Sequence, residues 1–583
     1  MKFTFFSLAT GLFFGAVTPA FPADVEIPKL AEIAVSNQSI APLILRFQAD
    51  SESIKHTHDI TAGPKREAAL RSLYSGWLAA IAAINYQKLS LEDQIDYALF
   101  KRELQYQLTQ LSFERQRFVK VMPLMPKLDS LIELAEARRE LVYADAKTTA
   151  QVLTLAKQEL SKKHAQLEKR DAKTAPSAID AFRAAKYVRG VQGDLKEWFN
   201  FYHGYDPSFS YWNKTAYDAL DKAMTEYANF LRDKIATASN PETIIGDPIG
   251  REAILTGLRH EIIPYTPEEL ISLADKELHW CQNEMSKAAL EMGHKNWQLA
   301  LEAVKQQSPD PGEQPKLVVA LADEAIAYLE KNNLVTVPSI AKRDWRMTML
   351  SAEAQLQAPF FLGGEDVFVA YPTDSMPQEK KTMAMRGNNK YFSRAVVHHE
   401  LIPGHHLQHF YNQRYQTQRE LFQTPFWTEG WALYWEMQLY DRGFARTPEE
   451  KIGMLFWRSH RAARILFSLS FHLGKMTPEQ AIDLLVERVG HERENAAAEV
   501  RRSFAGDYGP LYQVAYMLGG LQFRALHQEV VGTGKMSERE FHDAILKGGQ
   551  MPVSVVRSRL LKVSPELDLP ASWKFYQFDE KNK

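Results

Sequence analysis

The 583-residue sequence contains one cysteine, Cys281, so no intramolecular disulfide can form and packing alone must hold the chain together. A single thiol is compatible with an oxidising compartment, and Cys281 reads as a small buried hydrophobe in a helix. Charge of one sign is also scarce. A formal net charge of −2 removes the electrostatic case for nucleic acid or an anionic membrane surface as partner. There is no glycine-rich phosphate loop, no internal repeat, and no stretch flexible enough to serve as an interdomain linker. The one notable apolar run, Phe3 to Val17, is too short for a comfortable membrane span.

That run follows Lys2 and precedes Thr18-Pro19-Ala20-Phe21-Pro22-Ala23, the pattern of a secretory signal peptide cleaved after Ala20 or Ala23. No cysteine stands there to carry a lipid. The expected product is periplasmic or secreted, with no membrane association after cleavage. A 45% hydrophobic share with 24% charged residues is that of an ordinary globular protein. At this length the chain can bury one large core or two to three domains.

Apolar residues recur at three- and four-residue intervals over Leu91 to Leu111, Ala146 to Lys169, Pro176 to Phe201 and Thr215 to Ile235, which predicts helices. Thr266 before Pro267-Glu268-Glu269 reads as a helix N-cap, and Pro176-Ser177 as another helix start. Gln306 to Lys316 reads as an exposed loop. The exception to helix is Asp366-Val367-Phe368-Val369-Ala370-Tyr371-Pro372, a short strand after Gly363-Gly364. The expected fold is mainly α, with a small β-sheet beside a pair of active-site helices. We divide the chain into residues 1–23 (signal), 24–345 (helical region) and 346–583 (catalytic region).

Five of the 17 histidines fall between His398 and His409, with Glu400 directly after His399. Neutral imidazole is the commonest protein metal ligand, and a Glu beside a ligating His is where zinc hydrolases keep their base. In H-E-x-x-H the two histidines are one helical turn apart. Here position i+4 from His399 is Pro403. His405 at i+6 and His406 at i+7 would lie about 9 and 10 Å along a straight helix, too far to share an ion. Pro403 removes a hydrogen bond and clashes with the preceding turn, while Gly404 permits tight folding back. A two-residue bulge at Pro403-Gly404 would bring His405 to the second-histidine position; His406 needs a different distortion and ranks second. Glu429, 24 residues after His405, offers a third, anionic ligand. Another copy of the opening string, His260-Glu261-Ile262-Ile263-Pro264, has no histidine shortly downstream and reads as a helix end.

The segment His399 to Gln408, followed by Glu429-Gly430-Trp431-Ala432-Leu433-Tyr434, resembles the bacterial family catalogued as domain of unknown function 885. Asp247-Pro248-Ile249-Gly250-Arg251, Tyr265 to Leu270, Ser470 to Thr477 and Tyr512 to Gly519 are also similar to family segments. That family in turn resembles the thermolysin-like zincins, whose third ligand is a Glu on a following helix. The resemblance implies His399, His405 and Glu429 as ligands of one zinc ion per chain, with Glu400 as base. Dipeptidyl peptidase III-type enzymes tolerate an inserted residue in the motif, which makes a longer insertion plausible. The resemblance also suggests that the 366–372 strand pairs with substrate backbone, as an edge strand does in those zincins; a core strand is the alternative.

The expected activity is zinc-dependent hydrolysis of short peptides. Glu400 would take a proton from water and pass it to the leaving amine. Tyr516 would donate to the developing oxyanion, with His472, Tyr512 and Arg502 as alternatives. Trp427, Trp431 and Trp435 recur every four residues around Glu429 and read as a buried face that holds it. Glu436 is a weaker ligand candidate because it lies about 10 Å along the helix from Glu429. Arg386, Lys390 and Arg394 read as a solvated basic face, or less simply as a grip on a peptide carboxylate. Two other classes stay open: a non-haem iron enzyme, since two His and a carboxylate also form a facial triad, and a catalytically silent metal-binding helical protein.

Overall fold

In a computed structural model of the protein, the described residues are 29–30, 39–143, 145–170, 176–240, 243–310, 312–357, 363, 366–504 and 508–577. The signal-peptide reading and Gly364 lie outside them. The chain is mainly helical, as expected, with one small two-stranded sheet among the described residues. No helix there is long and apolar enough to cross a membrane.

The helices start where their caps dictate. Thr266 accepts from the Glu269 N–H while Glu269 reaches back to the Thr266 backbone, and Pro267 sits in the first turn of the helix Pro267–Glu291. The same box at Thr447 and Glu450 opens Pro448–His472. Ser90 and Ser177 cap Leu91–Val121 and Ala178–Tyr202, and Ala146–Glu168 follows the Asp145 cap. Where Thr215 to Ile235 was expected, the helix begins earlier, at Pro207 behind the Asp206 cap, and continues past Phe230 into the wider turn Leu231–Ile235. The expected loop after Gln306 is shorter than predicted, because Gln314–Lys331 starts inside it with a proline in its first turn.

Apolar faces gather into two cores. The smaller lies within residues 60–236 and is built around Leu153, Val188, Trp198, Phe209 and Tyr227. The larger joins the N-terminal helices to residues on both sides of position 345, including Trp427, Trp431, Trp435 and Leu518. Buried Arg419 ties these parts together, with Nε 2.7 Å from Asp96 Oδ1 and Nη2 2.7 Å from Glu92 Oε2 on the 91–121 helix.

The sheet consists of Met347–Met349 and Val367–Val369 in parallel register, Met347 opposite Val367. Val367 and Val369 are buried and Phe368 points outward, as period-two alternation requires. The strand expected at 366–372 therefore exists, in a shorter form.

Two helices set the spacing of the functional region. Pro425–Asp441 crosses Tyr512–Val530 at Gly430 and Gly519. A Cβ on Gly430 would stand 2.5 Å from Gly519 Cα, and one on Gly519 would stand 2.1 Å from the Phe426 carbonyl oxygen. Only glycine fits at either position, so the backbones touch and the crossing is fixed without intervening side chains.

Candidate metal centre

The helix Lys390–Glu400, capped by Asn389, carries His398, His399 and Glu400 in its last turn. The chain then leaves helical geometry at Leu401 and resumes at His405–Asn412. This corrects the expectation of a two-residue bulge: residues 401–404 form a complete break, across a cis Ile402–Pro403 peptide, and His405 begins a new helix. Pro403 has no N–H to offer and Gly404 lies against the preceding helix end, where a Cβ would be 1.8 Å from the His399 carbonyl oxygen. The Trp431 indole donates to the Pro403 carbonyl at 2.8 Å, so the 425–441 helix holds the break in place.

The break places His405 opposite His399, with ring centroids 4.7 Å apart and the planes nearly perpendicular. Glu429 Oε2 lies 3.1 Å from Nε2 of His399 and 3.1 Å from Nε2 of His405. His399, Glu400 and His405 also group so closely that one ligand atom from each lies within 4.8 Å of the others. His406 points elsewhere, to the Ala341 carbonyl and Asp344 Oδ1, both at 2.9 Å. Of the two histidines weighed from the sequence, His405 is the one brought to His399.

Both rings present the same nitrogen to Glu429 because the other nitrogen is already engaged. His399 Nδ1 is 2.7 Å from Glu436 Oε1, and His405 Nδ1 is 3.1 Å from Gln408 Oε1. With Nδ1–H donating in each case, both Nε2 atoms are left to face Glu429 Oε2, where a bound cation would take their lone pairs in place of the protons. Glu436 thus orients His399 from behind, a role the sequence reading missed. Gln408 also went unnoticed, although its i+3 position from His405 was a usable signal.

Tyr512 donates its hydroxyl to Glu429 Oε1 and lies against Tyr516. Tyr516 stacks beside His399 at 5.9 Å, while the Arg461 and Arg464 guanidinium carbons lie 5.1 and 4.4 Å from its ring centroid. Gly363 passes directly over Glu400, close enough that a Cβ there would be 2.2 Å from Glu400 Oε2. The other oxyanion candidates lie in different settings. His472 packs against Phe471 and Phe504, and Arg502 pairs with Glu499.

The expectation of a solvated basic face at 386–394 is corrected by long-range ion pairs. Arg394 pairs with Glu324 at 2.8 Å, and Arg386 with Glu302 and Glu492 at 2.6 and 2.8 Å. Lys390 alone is exposed, its ammonium 4.8 Å from the Tyr391 ring centroid. Trp427, Trp431 and Trp435 are fully buried, as their spacing suggested.

Burial pushes the Glu400 carboxyl above its usual range against the opposing pull of His399 and His405. Burial acts on Glu429 in the same direction, but the two imidazoles outweigh it and hold that carboxyl well below the ordinary value. Burial pulls the imidazoles down; Glu429 reverses this and carries His405 up to about 9 and His399 above its normal value. The cluster is therefore an anionic point between two imidazole nitrogens, an arrangement that suits a cation.

The donor set fits zinc on geometric grounds. Ligands bound at about 2.0–2.1 Å around a tetrahedral ion stand roughly 3.3–3.4 Å apart. The two nitrogen–oxygen separations of 3.1 Å are near that edge length.

The sequence matches the model of the family described as bacterial protein of unknown function (DUF885) over residues 55–560, and the chain belongs to that family. No curated protein matches it. Two solved structures share the fold. One, from Shewanella oneidensis, is described as a candidate lipoprotein of unknown function; it has a TM-score of 0.65 at 18% identity and covers 91% of this chain and 100% of its own. The other, a candidate lipoprotein from Colwellia psychrerythraea, has a TM-score of 0.57 at 16% identity and covers 90% of this chain and 99% of its own.

Proposed function

We propose that this chain is an exported, zinc-dependent peptidase of the thermolysin-like type that hydrolyses short peptides. The observation that carries the reading is the meeting of two Nε2 atoms with Glu429 Oε2, beside a half-buried carboxylate, Glu400, that is free of hydrogen-bonding duties to the histidines. His399, His405 and Glu429 would hold one zinc ion, and the helix pair 390–400 and 405–412 with 425–441 would be the zincin-like framework. When bound, the metal supplies Lewis acidity toward a substrate carbonyl and lowers the pKa of water.

The protein's own groups do the rest. Glu400, its proton affinity raised by burial, takes a proton from the attacking water and delivers it to the leaving amine. Tyr516 donates toward the carbonyl oxygen as negative charge develops there. Tyr512 holds Glu429 Oε1 so that Oε2 keeps facing the histidines. Glu436 and Gln408 fix the two ring orientations. Export agrees with the description of both structural neighbours as candidate lipoproteins and with the N-terminal pattern of Lys2, the apolar run and Ala20/Ala23.

The test is a mixed peptide library incubated with wild-type protein and Glu400→Gln, read by mass spectrometry alongside elemental analysis. Wild type should carry about one zinc and cleave short peptides. Glu400→Gln should retain zinc and lose at least ~10²-fold in turnover through loss of the base. Cleavage by both proteins at equal rates, no cleavage by zinc-loaded wild type, or iron in place of zinc would overturn the reading.

A further inference from the structure

Behind His399 and Glu436 lies a second buried arrangement, of which the proposed chemistry uses only the Glu436 oxygen that meets His399. Glu436 is 4% exposed; its Oε1 is engaged by His399 Nδ1, and its Oε2 is buried with no hydrogen-bond partner. On the 448–472 helix, Arg458 is 5% exposed and donates Nη2 to Glu277 Oε2 at 2.8 Å, with its guanidinium carbon 4.1 Å from the Trp280 ring centroid. Its Nε and Nη1 are buried and also lack partners. Both residues line one small cavity of about 10 Å³, whose remaining wall is largely apolar, from Leu433, Met437, Tyr440, Met454 and Leu455.

Glu436 and Arg458 both line this cavity, and each carries a buried polar atom without a partner, which is costly unless something joins them. The space is that of one water molecule, which needs roughly 10–15 Å³ and two or more polar partners. Water donates to the carboxylate and accepts from the guanidinium, so one molecule joins Glu436 Oε2 to one of the two unpartnered Arg458 nitrogens.

We infer that this cavity is a site for a single ordered water bridging Arg458 Nη1 to Glu436 Oε2. Arg458 is thereby a positioning residue for the metal centre, acting through water and Glu436 on the orientation of His399. Arg461 of the same helix flanks this carboxylate, with Nη2 3.7 Å from Oε1. The inference about metal affinity rests on the proposed role of His399 as ligand; the water site does not.

Two measurements test it. A high-resolution crystal structure of the full mature chain should show one ordered water bonded to both Arg458 Nη1 and Glu436 Oε2. A dry cavity, or direct contact between the two side chains, would overturn the water site. Zinc affinity by chelator competition gives the second readout. R458M should weaken zinc binding tenfold or more, the range seen when outer partners of a ligand are lost. R458K should regain most of it, and E277Q, which neutralises the other partner of Arg458 but keeps an acceptor for Nη2, should stay within twofold of wild type. Equal losses in R458M and E277Q, or no loss in R458M, would overturn the positioning role. If wild type binds no zinc, the metal reading fails, while the crystal structure still decides the water site, as it also does if R458M cannot fold.

Discussion

The chain spells His-Glu-x-Ile-Pro twice, at 260–264 and at 399–403, and the two copies do opposite things. His260 ends the helix Arg251–His260, stacks on Tyr106 at 3.8 Å, and is pulled down to about 3 by burial, with Arg102 adding to the effect. Its carboxylate neighbour Glu261 accepts from the Thr424 hydroxyl at 2.6 Å. Thr424 is the N-cap of the helix that carries Glu429, so the first copy braces the scaffold of the second. After Pro264 comes Tyr265, a buried ring that lies under the Lys574 ammonium and whose hydroxyl bonds to the Tyr576 backbone. After Pro403 comes Gly404, which lets the chain return onto the carbonyl of His399. The metal-suited pocket is thus defined less by the shared string than by the residue after the proline and by the carboxylates that arrive from other helices.

The sharpest way to break this comparison is metal binding. His399→Ala and His405→Ala should each lower zinc affinity by at least ~10²-fold, since affinities of about 10–16 kcal/mol are spread over a few ligands. His260→Ala and His406→Ala should stay within about twofold of wild type, as imidazoles with structural partners only. Chelator competition followed by elemental analysis measures all four. A loss confined to His406→Ala, or a loss in His260→Ala, would reverse the assignment.

The turn after the proline gives the next largest effect. Gly404→Ala places a methyl against the His399 carbonyl and should cost more than about 3 kcal/mol, with metal affinity falling alongside. Tyr265→Phe, the counterpart change in the first copy, removes the two hydrogen bonds of the hydroxyl to the Tyr576 backbone and should cost about 2 kcal/mol. Denaturant midpoints of the two variants give the contrast directly, and similar values would mean that the close approach at Gly404 is not essential.

The smallest effect is one of pH. Burial, against the Thr424 hydrogen bond and Arg102, raises the Glu261 carboxyl from 4.5 to about 7. Between those values the folded protein holds a proton that the unfolded chain has released. Stability from this group is therefore greatest at and below about pH 4.5, falls as pH rises, and levels off above about pH 7. For this partly exposed side chain the change amounts to about 1–2 kcal/mol. Glu261→Gln should flatten that part of the melting-temperature profile and raise the melting temperature at pH 8. An unchanged slope would show that the group titrates normally.

Much of this was legible in the sequence because it is local. Cap residues, helical periodicity and the proline within the histidine cluster each act over a few residues, and they located the helices, the break and the pairing of His399 with His405. What could not be read is what depends on distant partners. Glu436 was weighed by its distance along its own helix, whereas its role comes from facing His399 on another helix. Arg386 and Arg394 looked solvated because Glu302, Glu324 and Glu492 lie about 70 or more positions away in the chain. The length of the break at 401–404 was also hidden, since it depends on Trp431 gripping the Pro403 carbonyl from the Glu429 helix.

The crossing at Gly430 and Gly519 has a mechanical consequence. Because the two backbones bear directly on one another, no side-chain rotamer contributes to the spacing between the helix of Glu429 and the helix of Tyr512 and Tyr516. The contact works as a pivot without play. Repacking of neighbours such as Leu433 or Phe523 would be felt first as lost stability, while the separation of carboxylate and phenol at the pocket stays set by peptide against peptide. Sequence drift around such a pivot is free to remodel the surrounding core without retuning the pocket at its centre.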